Sequence, residues 1–387
     1  MKNNQLTESI YYIGADDKTI DLFEGQYVVP NGISYNSYLI KDDKIAVMDT
    51  VDKRATETWF DNLEKVLGGR DVDYLVVLHL EPDHAANLEK FLNKYKKAKV
   101  VGNAKIFGMI PQFFEHLDIA DRKIVVNEGD ELSLGQHTLK FIMAPMVHWP
   151  EVMMAYEEKE KILFSADAFG KFGILDTEED WACEARRYYF NIVGKYGAPV
   201  QAVLKKAKTL DIKKIFPLHG PMLVENLEYY MGKYDVWSKY EPEDEGIFIA
   251  YASIYGNTKE AVEKLKEILE KKGAKVSVAD LARDDMAEAV EDAFRYDRLV
   301  LASPTYDGDM FPAVETFIAH LRSKTYQNRK VGFIENGSWA PMAAKKMKTA
   351  MESFKNLVFL DNVVTIKSAV KESDVSQLER LADELLG

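Results

Sequence analysis

The chain has 387 residues, 47% of them hydrophobic and 29% charged, with a formal net charge of −13 and a pI near 5.2. That length suits two domains, and the acidic balance argues against nucleic acid or an anionic membrane as partner, since either needs a basic face. A single cysteine, Cys183, excludes internal disulfides, thiolate zinc sites and iron–sulfur clusters, so any metal must be held by nitrogen and oxygen.

The first residues, MKNNQLTESIYYIGADD, lack the apolar centre of a signal peptide, and no run of about 18 apolar residues follows; the expected location is the cytoplasm, with no membrane partner. Short apolar strands then alternate with helical patterns: NSYLIK and KIAVMDT, the helix-like RATETWFDNLEKVLG, then DYLVVLHL. KVVG, RKIVVN, HTLKFIMAP, KILFSA and KKIFPL continue the strands, with helical segments such as APVQAVLKKAKTL between several of them. The acidic, Pro-containing stretch SKYEPEDEG ends this strand-rich α/β region, which predicts a boundary near Glu243. From Gly246 the rhythm is stricter. The strand GIFIAYA, a Gly/Asn/Thr turn and the amphipathic KEAVEKLKEILEKKG, stopped by Gly273, make a βα unit. Strands KVSVADL, RLVLAS, KVGFIEN and NVVTIKS follow, with a closing helix DVSQLERLADELLG, so five strands alternating with helices predict a doubly wound parallel sheet. The expected domains are 1–243 and 246–387.

The stretch VVLHLEPDHAAN carries four of the polar side chains that matter. His79 lies at the end of an apolar strand, and the Pro82 turn lets His79, Glu81, Asp83 and His84 converge instead of alternating across a sheet. A polar loop with Asp83 as the N-cap of a following helix would explain one of these residues, but not all four. His148, Asp167 and His219 each come just after an apolar strand as well, so one rim can hold all seven side chains. His116, His137 and His320 have no such partners and read as structural or surface residues.

HxExDH followed by a distant His, an Asp and a His before Gly resembles the metallo-β-lactamase fold, an αββα sandwich with two metals. The usual hydrolase form is HxHxDH, and here Glu81 stands at the second histidine's place. An anionic oxygen in place of a neutral imidazole makes the site harder and better suited to higher-valent iron than to zinc. With the downstream module, the chain resembles the flavodiiron proteins. That resemblance implies a non-haem di-iron centre in which His79, Glu81 and His148 bind one iron, Asp83, His84 and His219 the other, and Asp167 bridges both. Ala85 and Ala86 replace a common Ser-Gly pair, and Ala166 precedes the bridging Asp; none of these changes a ligand. Tyr196, in GKYGAP, resembles a tyrosine that family members place near the open metal face.

In the second module, the turn Ser253, Ile254, Tyr255, Gly256, Asn257, Thr258 leads into a helix and offers N–H groups, hydroxyls and the helix dipole to a phosphate. It lacks the Lys-Ser/Thr of a P-loop and suits a bound monophosphate. Two later loops, at the ends of the third and fourth strands, are Ser303, Pro304, Thr305, Tyr306, Asp307, Gly308 and Asn336, Gly337, Ser338, Trp339. Tyr306 and Trp339 are expected to flank a flat ring. The pattern resembles flavodoxin, which implies FMN.

Together the two resemblances imply a reductase of dioxygen to water, nitric oxide to nitrous oxide, or both, fed by a separate rubredoxin-like carrier, since no CxxC pair is present. They also imply a head-to-tail homodimer or a dimer of dimers. The competing reading is a zinc hydrolase of the lactamase class with an accessory flavodoxin domain.

Overall fold

The computed structural model describes residues 4–387 and divides into two compact units, one of residues up to Tyr189 with Ala198–Asp235, the other of Phe190–Gly197 with Val236–Gly387. The first unit holds two mixed sheets. One runs in the order Ile10–Tyr12, Tyr38–Lys41, Ile45–Met48, Tyr74–Val76, Lys99–Gly102, Lys123–Val125, antiparallel through its first three strands and parallel thereafter. The other orders Glu131–Ser133, Thr138–Met143, Met153–Glu157, Ile162–Phe164 and Lys214–Phe216, with only its last pair parallel.

The sheets meet face to face. Tyr38 stacks on Phe216 at 5.2 Å and lies 5.4 Å from Phe164. Ile45–Met48 is buried along its whole length, which is why it reads as an apolar run without alternation. The helix Thr56–Leu67 buries Trp59, Leu63 and Leu67 at helical spacing, and its Val66 carbonyl accepts from Lys41 Nζ of the neighbouring strand at 2.9 Å. Trp59 Nε1 donates to Ser37 Oγ at 3.0 Å, so the indole enters the core with its polar atom satisfied. This is the expected αββα sandwich.

The second unit is a five-stranded parallel sheet ordered Val276–Asp280, Asp244–Tyr251, Tyr296–Tyr306, Lys330–Asn336, Val358–Ile366, with Asp309–Met310 paired antiparallel to the end of the third strand in sequence. The helix Asn257–Lys271 shows why the pattern folds this way. Ala261, Val262, Leu265 and Leu269 enter the core with Ile247, Ile249, Val300 and Ile334, while Lys259–Glu263, Glu260–Lys264 and Lys266–Glu270 pair along the solvent side at 3.7 Å. Gly273, at φ +85°, ends it as expected.

The packing unit begins before the composition change near Glu243. Trp237 Nε1 donates to Glu243 Oε2 at 2.7 Å, and Phe190 stacks on Phe294 at 4.2 Å. The stacking of Phe190 on Phe294, far apart in sequence, carries no local sequence signal. No helix among the described residues is long and apolar enough to cross a membrane.

Candidate functional site

Three strand ends in the first unit are followed at equal distance by a polar side chain: Val76 by His79, Phe164 by Asp167, Phe216 by His219. His148 comes from the loop between Met143 and Met153, Glu81 from the residue before the short helix Pro82–Ala85, and Asp83 and His84 from within it. Glu81, not Asp83, occupies the N-cap position. Both Asp83 oxygens lack a hydrogen-bond partner, so that carboxylate does not cap the helix.

All seven side chains converge into two groups, His79, Glu81, His148 and Asp167, and Asp83, His84 and His219, with the ligand atoms of each within 4.8 Å of one another. In the first group, Glu81 Oε2 is 3.1 Å from His79 Nε2 and 3.0 Å from His148 Nε2, and Asp167 Oδ2 is 3.1 Å from His148 Nε2. In the second, Asp83 Oδ2 is 3.3 Å from His84 Nε2 and 3.2 Å from His219 Nε2. Asp167 Oδ1 is 3.0 Å from His84 Nε2. Asp167 thus turns one oxygen to each group.

These atoms fit a pair of cations. His219 Nδ1 faces the Ser34 carbonyl at 2.7 Å and must donate to it, leaving Nε2 with its lone pair toward the cluster and no partner. His79 Nδ1 faces Glu151 at 2.8 Å, which fixes its Nε2 in the same way. His84 Nε2, Asp167 Oδ1 and both Asp83 oxygens are likewise buried without a hydrogen bond. Ligands about 2.1 Å from one ion and at right angles lie about 3.0 Å apart, the spacing found here. Without a cation the charges fall on the imidazoles. Burial opposes a charge on His148, but the hydrogen bonds its ring donates to Asp167 and Glu81 outweigh it and push the group up to about 9. Burial raises the Glu81 carboxyl, yet His148 and His79 hold it well below the usual range.

Several residues around the cluster escaped the sequence reading. Glu151 Oε1 accepts from His79 Nδ1 and, at 3.0 Å, from Leu80 N. Asp49 Oδ1 accepts from Leu78 N at 2.7 Å, and burial pushes that carboxyl up to about 7. Asp49 directly follows the strand Ile45–Met48, the same signal that singled out Asp167. Two buried phenols stand beside the cluster, Tyr188 and Tyr35, their rings 5.6 Å and 6.1 Å from that of His219. Burial, then the charges of Asp167, Asp83 and Glu81, push the Tyr188 hydroxyl well above its usual range, so it keeps its proton. Tyr196 sits half-buried in the turn Gly194–Tyr196, which groups with the second unit, with Lys195 Nζ 5.9 Å from its ring. His137 is structural as expected, held between Ser9 Oγ at 2.7 Å and Glu157 Oε1 at 2.8 Å.

In the second unit a cavity of about 450 Å³ opens at the strand ends, a size that suits a small cofactor. Ser253, Ile254, Tyr255, Asn257 and Thr258 line it, as do Pro304, Thr305, Asp307 and Gly308 and all of Asn336–Trp339. Ser253 Oγ accepts from Gly256 N at 3.1 Å and Lys259 N at 3.3 Å, which leaves its own hydrogen for an anion. Three expected residues are not among the lining. Gly256 shapes the turn at φ +93°. Ser303 is buried, its hydroxyl accepting from Phe311 N at 2.9 Å. Tyr306 packs edge-on against Phe311 at 5.6 Å while staying 46% accessible, and the rings that line the cavity are Tyr255 and Trp339, 91% and 92% accessible. Ser368, from the loop after the last strand, lines the cavity unforeseen.

An αββα sandwich with a two-centre histidine and carboxylate cluster, joined to a flavodoxin-like sheet with a cavity at its strand ends, defines a class of two-domain lactamase-like proteins. Residues 33–220 match the ODP family beta lactamase and residues 248–381 a flavodoxin domain. An uncharacterized protein of Methanocaldococcus jannaschii is 31% identical over 393 aligned positions, covering 98% of each chain. A nitric oxide reductase of Moorella thermoacetica is 27% identical, covering 98% of this chain and 97% of that one. Among solved structures, the rubredoxin oxygen:oxidoreductase of Desulfovibrio gigas superposes with a TM-score of 0.91 at 23% identity, covering 98% and 97% of the two chains. The flavodiiron protein of Giardia intestinalis gives 0.87 at 24%, covering 100% and 97%. The chain belongs to the flavodiiron protein family. The zinc-hydrolase alternative is not favoured.

Proposed function

We propose that this chain reduces dioxygen to water, nitric oxide to nitrous oxide, or both, using FMN in the second-unit cavity and two non-haem irons in the first-unit cluster. One observation carries the reading: Asp167 presents Oδ2 to the trio of His79, Glu81 and His148 and Oδ1 to the trio of Asp83, His84 and His219. When bound, the irons supply a place where a diatomic is held and reduced, and the flavin supplies electrons singly or in pairs.

The chain's own residues set the terms of that chemistry. Glu81 brings a third carboxylate to the cluster, so the donor set of four imidazoles and three carboxylates favours iron over zinc. Glu151 and the Ser34 carbonyl lock the tautomers of His79 and His219. Tyr196 is proposed to stand near the open metal face, and Tyr188, whose buried phenol keeps a hydrogen to donate beside the cluster, is proposed to act there with it. Ser253 and the N–H groups of its turn would hold the FMN phosphate, and Tyr255 and Trp339 would cover the ring. The functional boundary is proposed near Glu243, between a di-iron domain, 1–243, and a flavin domain, 246–387.

Electrons are proposed to come from a separate rubredoxin-like carrier, and the working form to be a head-to-tail homodimer or a dimer of dimers. One exposed cysteine and an acidic surface fit the cytoplasm. The test is metal and flavin analysis of the purified protein, followed by anaerobic stopped flow of the reduced protein against each gas. About two irons and one FMN per chain, with reoxidation by at least one gas, are expected. Zinc without flavin would sink the reading.

A further inference from the structure

The loop after the fifth strand of the second unit is built for a purpose that the sheet does not require. Open α/β sheets bind ligands where the strand order reverses, here between Asp244–Tyr251 and Tyr296–Tyr306, and Val358–Ile366 lies at the far edge. Yet Ser368, just past that edge strand, lines the cavity beside Ser338. It holds φ +65°, a conformation unfavourable for any side chain but glycine.

Three sets of hydrogen bonds hold it there. Asn336 Nδ2 donates to the Ser368 carbonyl at 2.8 Å, and Ser368 N donates to Asn336 Oδ1 at 3.1 Å. The Lys371 ammonium donates to the carbonyls of Lys367 at 2.8 Å and Ala369 at 3.2 Å, on either side of Ser368. Ser368 Oγ and Ser338 Oγ are 2.8 Å apart and share one hydrogen. Asn336 has thus committed both its amide atoms to the loop and acts as a brace. The two hydroxyls use one hydrogen between them and leave the other to donate outward.

We infer that Ser368 is a flavin-ring residue, its hydroxyl paired with Ser338 to donate one hydrogen to the polar edge of the isoalloxazine, with Asn336 and Lys371 as positioning residues. The inference rests on the flavin reading above. Reduction of a flavin adds negative charge to that edge, so a donor there favours the reduced ring over the oxidised one.

The test uses the full-length protein, stripped of flavin and titrated with FMN and with riboflavin by fluorescence quenching. S368A should weaken both ligands by the same factor, roughly threefold to tenfold, and lower the midpoint potential of bound FMN. S368G should do the same although glycine suits the backbone, and S338A/S368A should be little worse than either single variant. S253A, by contrast, should weaken FMN and leave riboflavin unchanged. Unaltered affinity and potential in S368A, a loss confined to FMN, or full recovery in S368G would overturn the assignment. Failure of the unmutated chain to bind either flavin would overturn the flavin reading and the role of Ser368 with it.

Discussion

His79 and Glu151 are hydrogen-bonded in the interior, Nδ1 to Oε1 at 2.8 Å, with neither side chain exposed. The carboxylate fixes the tautomer and raises the basicity of the nitrogen that faces the cluster, and it also accepts from Leu80 N. Glu151→Gln keeps an acceptor but removes the charge. We expect metal affinity to fall roughly tenfold in that variant, and up to about 100-fold in Glu151→Ala, which leaves two buried donors unpaired. Competition with a chelator, read by metal content, measures this, and wild-type retention in both variants would show that Glu151 does not support His79.

Glu81→His restores the hydrolase-like HxHxDH pattern at the one position where the chain departs from it. Glu81 Oε2 lies about equally far from His79 Nε2 and His148 Nε2, at 3.1 and 3.0 Å. An imidazole there removes an anion from between two buried histidines and softens the donor set. Iron retention and reductase turnover should both fall, with FMN content near normal. If iron-dependent activity is unchanged, position 81 is not a ligand.

The two predictions differ in how visible their residues are in sequence. His79, Asp167 and His219 follow buried strands, and a run of apolar residues ending in one polar side chain is a signal that survives without a structure. Asp49 carries that signal too, but no recurring metal motif drew attention to it. Glu151 and Tyr188 carry none, because one sits in an irregular loop and the other inside a helix, and only tertiary packing aims them at the cluster. The same holds for the cavity. Its three loops were legible from strand ends and small residues, whereas the turning of Tyr306 onto Phe311 and the arrival of Ser368 from the edge strand depend on contacts across the fold.

Trp339 is 92% accessible beside the cavity, as is Tyr255 at 91%. Two large rings standing open beside one cavity offer apolar surface that a flat ring can cover. Trp339→Ala should weaken FMN binding by about threefold to tenfold, in line with the value of one aromatic stacking pair, and leave the iron content intact. Equal affinity in a flavin titration would remove Trp339 from the site.

Asp17 ties two segments of the first unit together. Its Oδ1 accepts from Thr19 N and Thr19 Oγ1, both at 2.8 Å, and its Oδ2 accepts from Arg54 Nε at 2.8 Å. Burial raises the carboxyl, but the bonds from Thr19 and the Arg54 guanidinium outweigh it and hold the group below the ordinary carboxylate value. A group depressed on folding contributes stability above its unfolded value, about 3.9, and loses that contribution as pH falls through the lower folded value. Asp17→Asn should therefore destabilise the protein by about 1–2 kcal/mol at neutral pH, with the gap from wild type closing as pH drops below about 4. Thermal unfolding followed across that range tests it. A gap of constant size from pH 7 to pH 3 would show that packing, and not the charge on Asp17, accounts for the loss.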